Sequence, residues 1–345
     1  MSSYIKNGKT IEYDNAPDWL VAFMRYDRAI EGKSANTDKT YFLDLRGFFQ
    51  WVQMFKETGS QPKSAEELRD ISILALPLSA AVSVTKSDVE TYLHFLADVL
   101  SNGPATRNKK LASIKAFYYY VVDNQEELGV EILGNPALRI KKVKQPKKNP
   151  IYLDQSEQQQ MLLVDNQNSI RDEAIILFLN VTGVRISELV NLDLDDISLK
   201  RKRARIRNGK GAKERTVVLT DNLCDALEDY LQLYRNTIPD LATNALFVST
   251  RKKDRLTTRA IQMMIKKQGM KNGVFGVTPH KYRHTVATML AQQGEDVLTI
   301  QGALGHESPS TTAIYTHLGE EDIAYAVNRS YVGSLSLPYS PQKRQ

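Results

Sequence analysis

Apolar residues recur at helical spacing through most of the first 125 positions. Trp19, Leu20, Phe23 and Met24 share one face of a helix entered at Pro17. Tyr41, Leu43, Leu45, Phe48, Phe49 and Val52 do the same for a second helix that runs to about Phe55. Residues 1–15 carry no such pattern and read as a flexible lead-in, and 60–77 reads as a polar loop. Thr85 followed by Asp88 has the form of a capping box, opening a helix to Leu100 with Val89, Tyr92, Leu93, Phe95 and Leu96 buried. Ser101, Asn102, Gly103 and Pro104 break it. Thr106 to Val122 forms another helix, burying Leu111, Ile114, Phe117, Tyr118 and Val121 and turning Arg107, Lys109, Lys110 and Lys115 to the other side.

The pattern changes at Asn135–Pro136. Residues 139–150 are basic, punctuated by proline and poor in apolar side chains, so they read as an extended linker. From 151 onward Asp154 and Glu157 mark a helix start. A buried helix follows over 174–179 and stops at Thr182–Gly183. Alternation in 204–207 and 216–219 around Asn208–Gly209–Lys210–Gly211 predicts a hairpin. Helices are expected over 221–235, 257–268, 281–293, 296–304 and 320–329. The expected fold is mainly α with a small antiparallel β-sheet (α+β). Its domains are an all-helical one over 1–138, a linker over 139–150 and a second domain over 151–345.

A chain of 345 residues exceeds one ordinary core, which agrees with two domains. Cys224 is the only cysteine, so no intrachain disulfide forms and a reducing cytoplasm is the expected location. It also disfavours a Cys/His metal site. No apolar run reaches the length of a membrane span. The net charge of +6 matters less than its distribution. Windows 139–148, 200–215 and 251–271 hold 6, 9 and 8 Lys+Arg, that is 23 of 46, against Glu214 and Asp254 alone. Such clustering suits a phosphate backbone, and three solvated basic loops are the alternative. Arg107, Lys110, Lys141, Lys142, Lys144, Arg259, Gln262 and Lys266 are the candidate DNA contacts.

The candidate chemistry lies late in the chain. HKYRHT places Arg283 three residues after His280, on one side of a helical turn. LGHES brings His306, and STTAIYTH brings Tyr315. TGVRISEL supplies Arg185, with Glu188 three residues on to orient its guanidinium. NGKGAKER sets Lys210 between glycines at a hairpin tip. Two arginines grip the non-bridging oxygens of a phosphodiester bidentately. Histidines supply hydrogen bonds or proton transfer, and a lysine protonates a leaving oxygen. A phenol with a pKa of about 10 becomes a nucleophile when cations favour the phenolate. The set points to phosphoryl transfer to a protein hydroxyl. Taken singly each motif is an ordinary surface feature, and no Walker sequence is present to support nucleotide hydrolysis.

In order and spacing these boxes resemble those of the tyrosine recombinases, the DNA strand-exchange enzymes of the Xer and phage-integrase type. The resemblance covers the whole second domain and, more loosely, the first, where TRNKKLASIKAFYYY is similar to a helix of the family's core-binding domain. It departs at Tyr282, where the family's H-x-L-R-H box has leucine. The resemblance implies a catalytic set of Arg185, Lys210, His280, Arg283, His306 and the nucleophile Tyr315, supported by Glu188. It implies a 3′-phosphotyrosyl intermediate, passage through a Holliday junction, and neither cofactor nor metal. The implied partners are a double-stranded recombination site and a homotetramer on two sites, with a second recombinase or a DNA translocase as a further possibility. The segment from Glu320 onward is expected to hold a helix exchanged between protomers, and no arm-site-binding domain is expected before the first domain. Bacterial or archaeal chromosome-dimer resolution and mobile-element integration both fit. Two rival readings are a type IB topoisomerase-like relaxing enzyme and a catalytically silent DNA-binding protein.

Overall fold

The computed structural model describes residues 3–6, 9–13, 16–29, 35–145, 152–207 and 214–304. The chain divides into two compact units, Met1–Lys148 and Asn149–Gln345, each with its own hydrophobic core.

The first unit opens with an antiparallel hairpin, β1 (Ser3–Lys6) and β2 (Lys9–Glu12), where the sequence pattern predicts a flexible lead-in. Helices α1 (Asp18–Ala29) and α2 (Ala35–Thr58) follow. The stretch read as a polar loop is also ordered: α3 (Ala65–Asp70) sits inside it, capped by Ser64, and Leu68, Ile73 and Leu76 are buried. Polar side chains on the large helices fasten this stretch. Gln50 donates to the carbonyl of Ile71 at 2.8 Å, and Trp19 donates to that of Leu76 at 2.9 Å. Next come α4 (Leu78–Val82), α5 (Lys86–Asp98), α6 (Pro104–Asp123) and α7 (Gln125–Leu128). The capping box of Thr85 and Asp88 is formed, and the five apolar residues expected on α5 are all buried. Edge-to-face contacts of Phe49 with Trp19 and Phe117, at 4.8 and 5.0 Å between ring centroids, join α1, α2 and α6.

The start of the expected linker is not extended over solvent. Ala137 and Ile140 are buried in the first unit. Lys115 on α6 donates to the carbonyls of Leu138 and Ile140, and the Asn108 amide bonds both ways with the backbone of Val143. Few apolar side chains are needed, because polar groups of α6 hold the backbone instead.

The second unit is built around α9 (Ser169–Thr182), whose run 172–182 is buried on every side. Helix α8 (Gln155–Leu162) precedes it, with the Asp154–Glu157 capping box formed. The short α10 (Ile186–Val190) comes next. Strands β3 (Ile197–Ser198), β4 (Arg203–Ile206) and β5 (Arg215–Val218) make an antiparallel sheet in that order. Then follow α11 (Asp221–Leu233), the two-residue strands β6 (Val248–Ser249) and β7 (Asp254–Arg255), α12 (Thr258–Lys271), α13 (Pro279–Gln292) and α14 (Val297–Leu304). Helices α8, α11 and α13 pack against α9. The molecule is therefore mainly helical with small antiparallel sheets. No helix among the described residues is long and apolar enough to cross a membrane. The helix expected over 320–329 and the exchanged segment lie outside the described residues.

Candidate active site

Helix α9 ends at Gly183, whose φ of +58° is the left-handed conformation that glycine adopts without penalty. Space requires glycine there as well: a Cβ would stand 2.6 Å from Leu304 Cδ2 and 3.3 Å from Val286 Cβ. The tight turn delivers Val184 to the core and Arg185 to the N-cap of α10. On the other side, Thr278 caps α13 and Pro279 opens it, so His280 and Arg283 fall in its first turns.

These segments meet in a concavity of about 320 Å³ lined by Val184, Arg185, Ile186, Ser187, Gln262, Thr278, Pro279, His280 and Arg283. Thus Arg185, His280 and Arg283, which stand up to 98 residues apart (283 − 185), share one site. Residues at the first turns of α10 and α13 line it.

Each arginine is held by a different device. Glu188 accepts from the Arg185 backbone N–H at 2.8 Å and from Arg185 Nη1 at 2.9 Å. It also accepts from Arg215 Nη1 at 2.9 Å and Nη2 at 2.7 Å. Burial alone would raise the Glu188 pKa, but the Arg215 and Arg185 bonds hold it at about 2, so it is a carboxylate at neutral pH. Arg283 is buried and donates to the carbonyl of Gly183 at 2.9 Å and to that of Leu304 at 2.6 Å. Burial, then the charges of Arg185 and Arg215, lower its pKa to about 10, and it remains a cation at pH 7. The His280 ring lies edge-to-face on His284, 4.6 Å between centroids. Burial first, then His284, Arg283 and Arg185, push His280 below the ordinary histidine value. That direction favours the neutral imidazole at pH 7, with one donor and one acceptor. Fixed cations around a neutral histidine suit an anionic guest such as a phosphodiester.

Lys210, His306 and Tyr315 lie outside the described residues. Lys210 lies between β4 and β5 in the sequence, and His306 follows Leu304 by two positions. Arg215 is one of nine cations in its basic window, and the sequence around it does not set it apart. The signal it does carry is its place at the foot of the expected hairpin, opposite Ile206.

The expected DNA contacts divide. Lys141, Lys142, Lys144, Arg259, Gln262 and Lys266 are exposed, and Gln262 also lines the concavity. Lys110 instead pairs with buried Asp44 at 3.2 Å, and Arg107 is half-buried. Part of the basic charge in the 200–215 and 251–271 windows is neutralised by acidic residues elsewhere in the unit. Arg205 and Arg207 pair with Asp196, Arg207 and Arg255 with Asp193, and Arg215 with Glu188.

Comparison with known proteins gives the family. Residues 152–322 match the phage integrase family. The chain is 35% identical over 320 residues to a tyrosine recombinase XerC from Caldanaerobacter subterraneus subsp. tengcongensis, covering 91% of this chain and 87% of that protein. The chain belongs to the tyrosine recombinases of the phage-integrase family. Within it the chain is Xer-like: it is also 32% identical over 305 residues to a tyrosine recombinase XerA from Pyrococcus furiosus, covering 87% of this chain and 90% of the relative. The fold matches that of a XerH site-specific recombinase solved with a palindromic difH substrate in a post-cleavage complex. The TM-score is 0.59 at 21% identity, with 90% of this chain and 94% of the other covered. Of the three readings open from the sequence, this tyrosine recombinase is a site-specific DNA recombinase rather than a topoisomerase-like enzyme or a silent binding protein.

Proposed function

We propose that Tyr315 is the nucleophile of this recombinase and that Arg185 and Arg283 clamp the phosphate it attacks. The observation carrying this reading is the convergence of Arg185, His280 and Arg283 on one concavity. The Tyr315 oxygen attacks phosphorus and the bond to the 5′ oxygen breaks. Lys210 protonates that leaving oxygen, and the phosphate stays esterified to the tyrosine through its 3′ oxygen. His280 and His306 handle the phenolic proton and hydrogen-bond the phosphate. As negative charge builds on the non-bridging oxygens, preorganised donors lower the barrier, roughly 3 kcal/mol for each by analogy with an oxyanion-hole donor. The 5′-hydroxyl of a partner strand reverses the step. The bond energy is kept in the ester, so the cycle needs no nucleotide.

In this reading the unit Met1–Lys148 is the core-binding domain and Asn149–Gln345 the catalytic domain. The partner is a double-stranded recombination site. Two sites are held by a tetramer and exchanged through a Holliday junction. The exposed lysines 141, 142 and 144 and the exposed face of α12 with Arg259 and Lys266 contact phosphates.

The test is a suicide-substrate trap. Nicked duplexes from around the gene itself and from the replication terminus are incubated with the protein, and covalent adducts are resolved on a denaturing gel. An adduct with the wild type and none with Tyr315→Phe, at equal DNA binding, is expected. An adduct formed by Tyr315→Phe overturns the nucleophile assignment. The duplex that yields it separates chromosome-dimer resolution from element mobility.

A further inference from the structure

We propose that Arg215 is a positioning residue for the arginine clamp, acting on Arg185 through the carboxylate they share. The inference rests on the proposed clamp, and three observations carry it.

The first is geometry. Arg215 makes a two-pronged contact with Glu188, at 2.9 and 2.7 Å, while the same two oxygens accept from the backbone and side chain of Arg185. All four hydrogen bonds converge on one carboxylate, which leaves it little freedom to rotate. The second is burial. The Glu188 side chain is 4% exposed and that of Arg215 is 16% exposed, whereas Arg185 at 33% opens to the concavity that Arg215 does not line. Arg215 therefore stands behind the site, and a phosphate in the concavity meets Arg185. The third is charge. Two guanidinium groups against one carboxylate leave a net positive charge where the phosphate sits. Without Arg215, Glu188 would neutralise Arg185 in full and draw its guanidinium away from the concavity.

Topology gives the contact a second consequence. Arg215 opens β5 and pairs with Ile206, the last residue of β4. One side chain thus fastens the foot of that hairpin to the first turn of α10.

The experiment measures cleavage by the full chain on a suicide duplex, together with DNA binding by fluorescence anisotropy and melting by circular dichroism. Arg215→Gln removes the charge, and Arg215→Lys keeps it but cannot form the two-pronged contact. The expected result for Arg215→Gln is unchanged binding and cleavage slowed about 10²-fold, as for a catalytic group displaced by about 1 Å. Arg215→Lys recovers part of the rate. A duplex with sulfur at the 5′-bridging position, whose leaving group needs no proton, is expected to be cleaved with the same relative deficit, because the clamp and not the acid is impaired. Combined with Arg185→Ala, Arg215→Gln adds no further loss, since it acts through the residue already removed.

Full rescue by the sulfur substrate overturns the inference, because the effect then runs through leaving-group protonation. Additive losses in the double variant overturn it, as does normal cleavage by a folded Arg215→Gln protein. If Arg215→Gln does not fold, Arg215→Lys decides: wild-type cleavage on both duplexes overturns the inference, and a deficit equal on both supports it. A wild-type protein that forms no Tyr315-dependent adduct refutes the clamp reading itself, which is distinguishable from all of these.

Discussion

At the scale of single residues, the site depends on positions that carry no chemistry. Gly183 is required twice over, by its φ of +58° and by the 2.6 Å that separates a virtual Cβ from Leu304. Gly183→Ala costs about 1–2 kcal/mol for the left-handed backbone alone, and the collision adds to it. A denaturant titration is expected to show a loss above that figure; an unchanged midpoint would mean that Leu304 yields freely. Glu188 sets a pH limit. Its folded-state pKa of about 2 lies below the ordinary 4.5, so its stabilising contribution is complete above pH 4.5 and lost as pH falls towards 2. Glu188→Gln should flatten that part of an acid-unfolding curve. His280 is expected to move the other way when a phosphate binds beside it. It titrates below 6.5 in the free protein, and a bound phosphate supplies the anion that raises it. An NMR titration with and without DNA checks the direction.

At the scale of elements, Thr85→Ala removes a formed capping box from α5 and is expected to cost about 1 kcal/mol, read as a lowered melting temperature. The same box shows what the sequence makes legible. Long amphipathic helices such as α5 and α6 declare themselves through apolar spacing, and the residues they bury are the expected ones. Capping pairs at Thr85 and Asp154 mark the helix starts correctly. Short elements escape. Strands β3, β6 and β7 have two residues each, too few for any alternation to register. The stretch around α3 is held by Gln50, which bonds to backbone carbonyls 19 and 21 residues away. At the site, Arg185, His280 and Arg283 are legible from their boxes, and the Glu188 interaction from its spacing. Arg215 is not, because its role appears only once β5 has paired with β4 and brought it to Glu188. Lys110 shows the same limit: its place on a polar helix face does not reveal Asp44, 66 residues earlier, as its partner.

At the scale of the molecule, raw charge overstates the surface offered to DNA, since the arginines around Asp193 and Asp196 are already satisfied. The lysines at 141, 142 and 144 have exposed side chains, while the backbone beside them is tied down by Asn108. Replacing the three by glutamine is expected to keep the fold and to shallow the salt dependence of DNA binding, by about 0.9 in the log–log slope for each phosphate no longer neutralised. An unchanged slope would remove this segment from the interface. A different economy governs Arg283. The guanidinium that faces the concavity also closes the end of α14 by holding the carbonyl of Leu304. Two tasks on one side chain are thermodynamically linked, and linkage is reciprocal. A guest that draws on Arg283 alters how tightly the end of α14 is fastened, and whatever rearranges that end retunes the affinity for the guest by the same factor. Arg283 is therefore expected to couple the occupancy of the concavity to the end of α14.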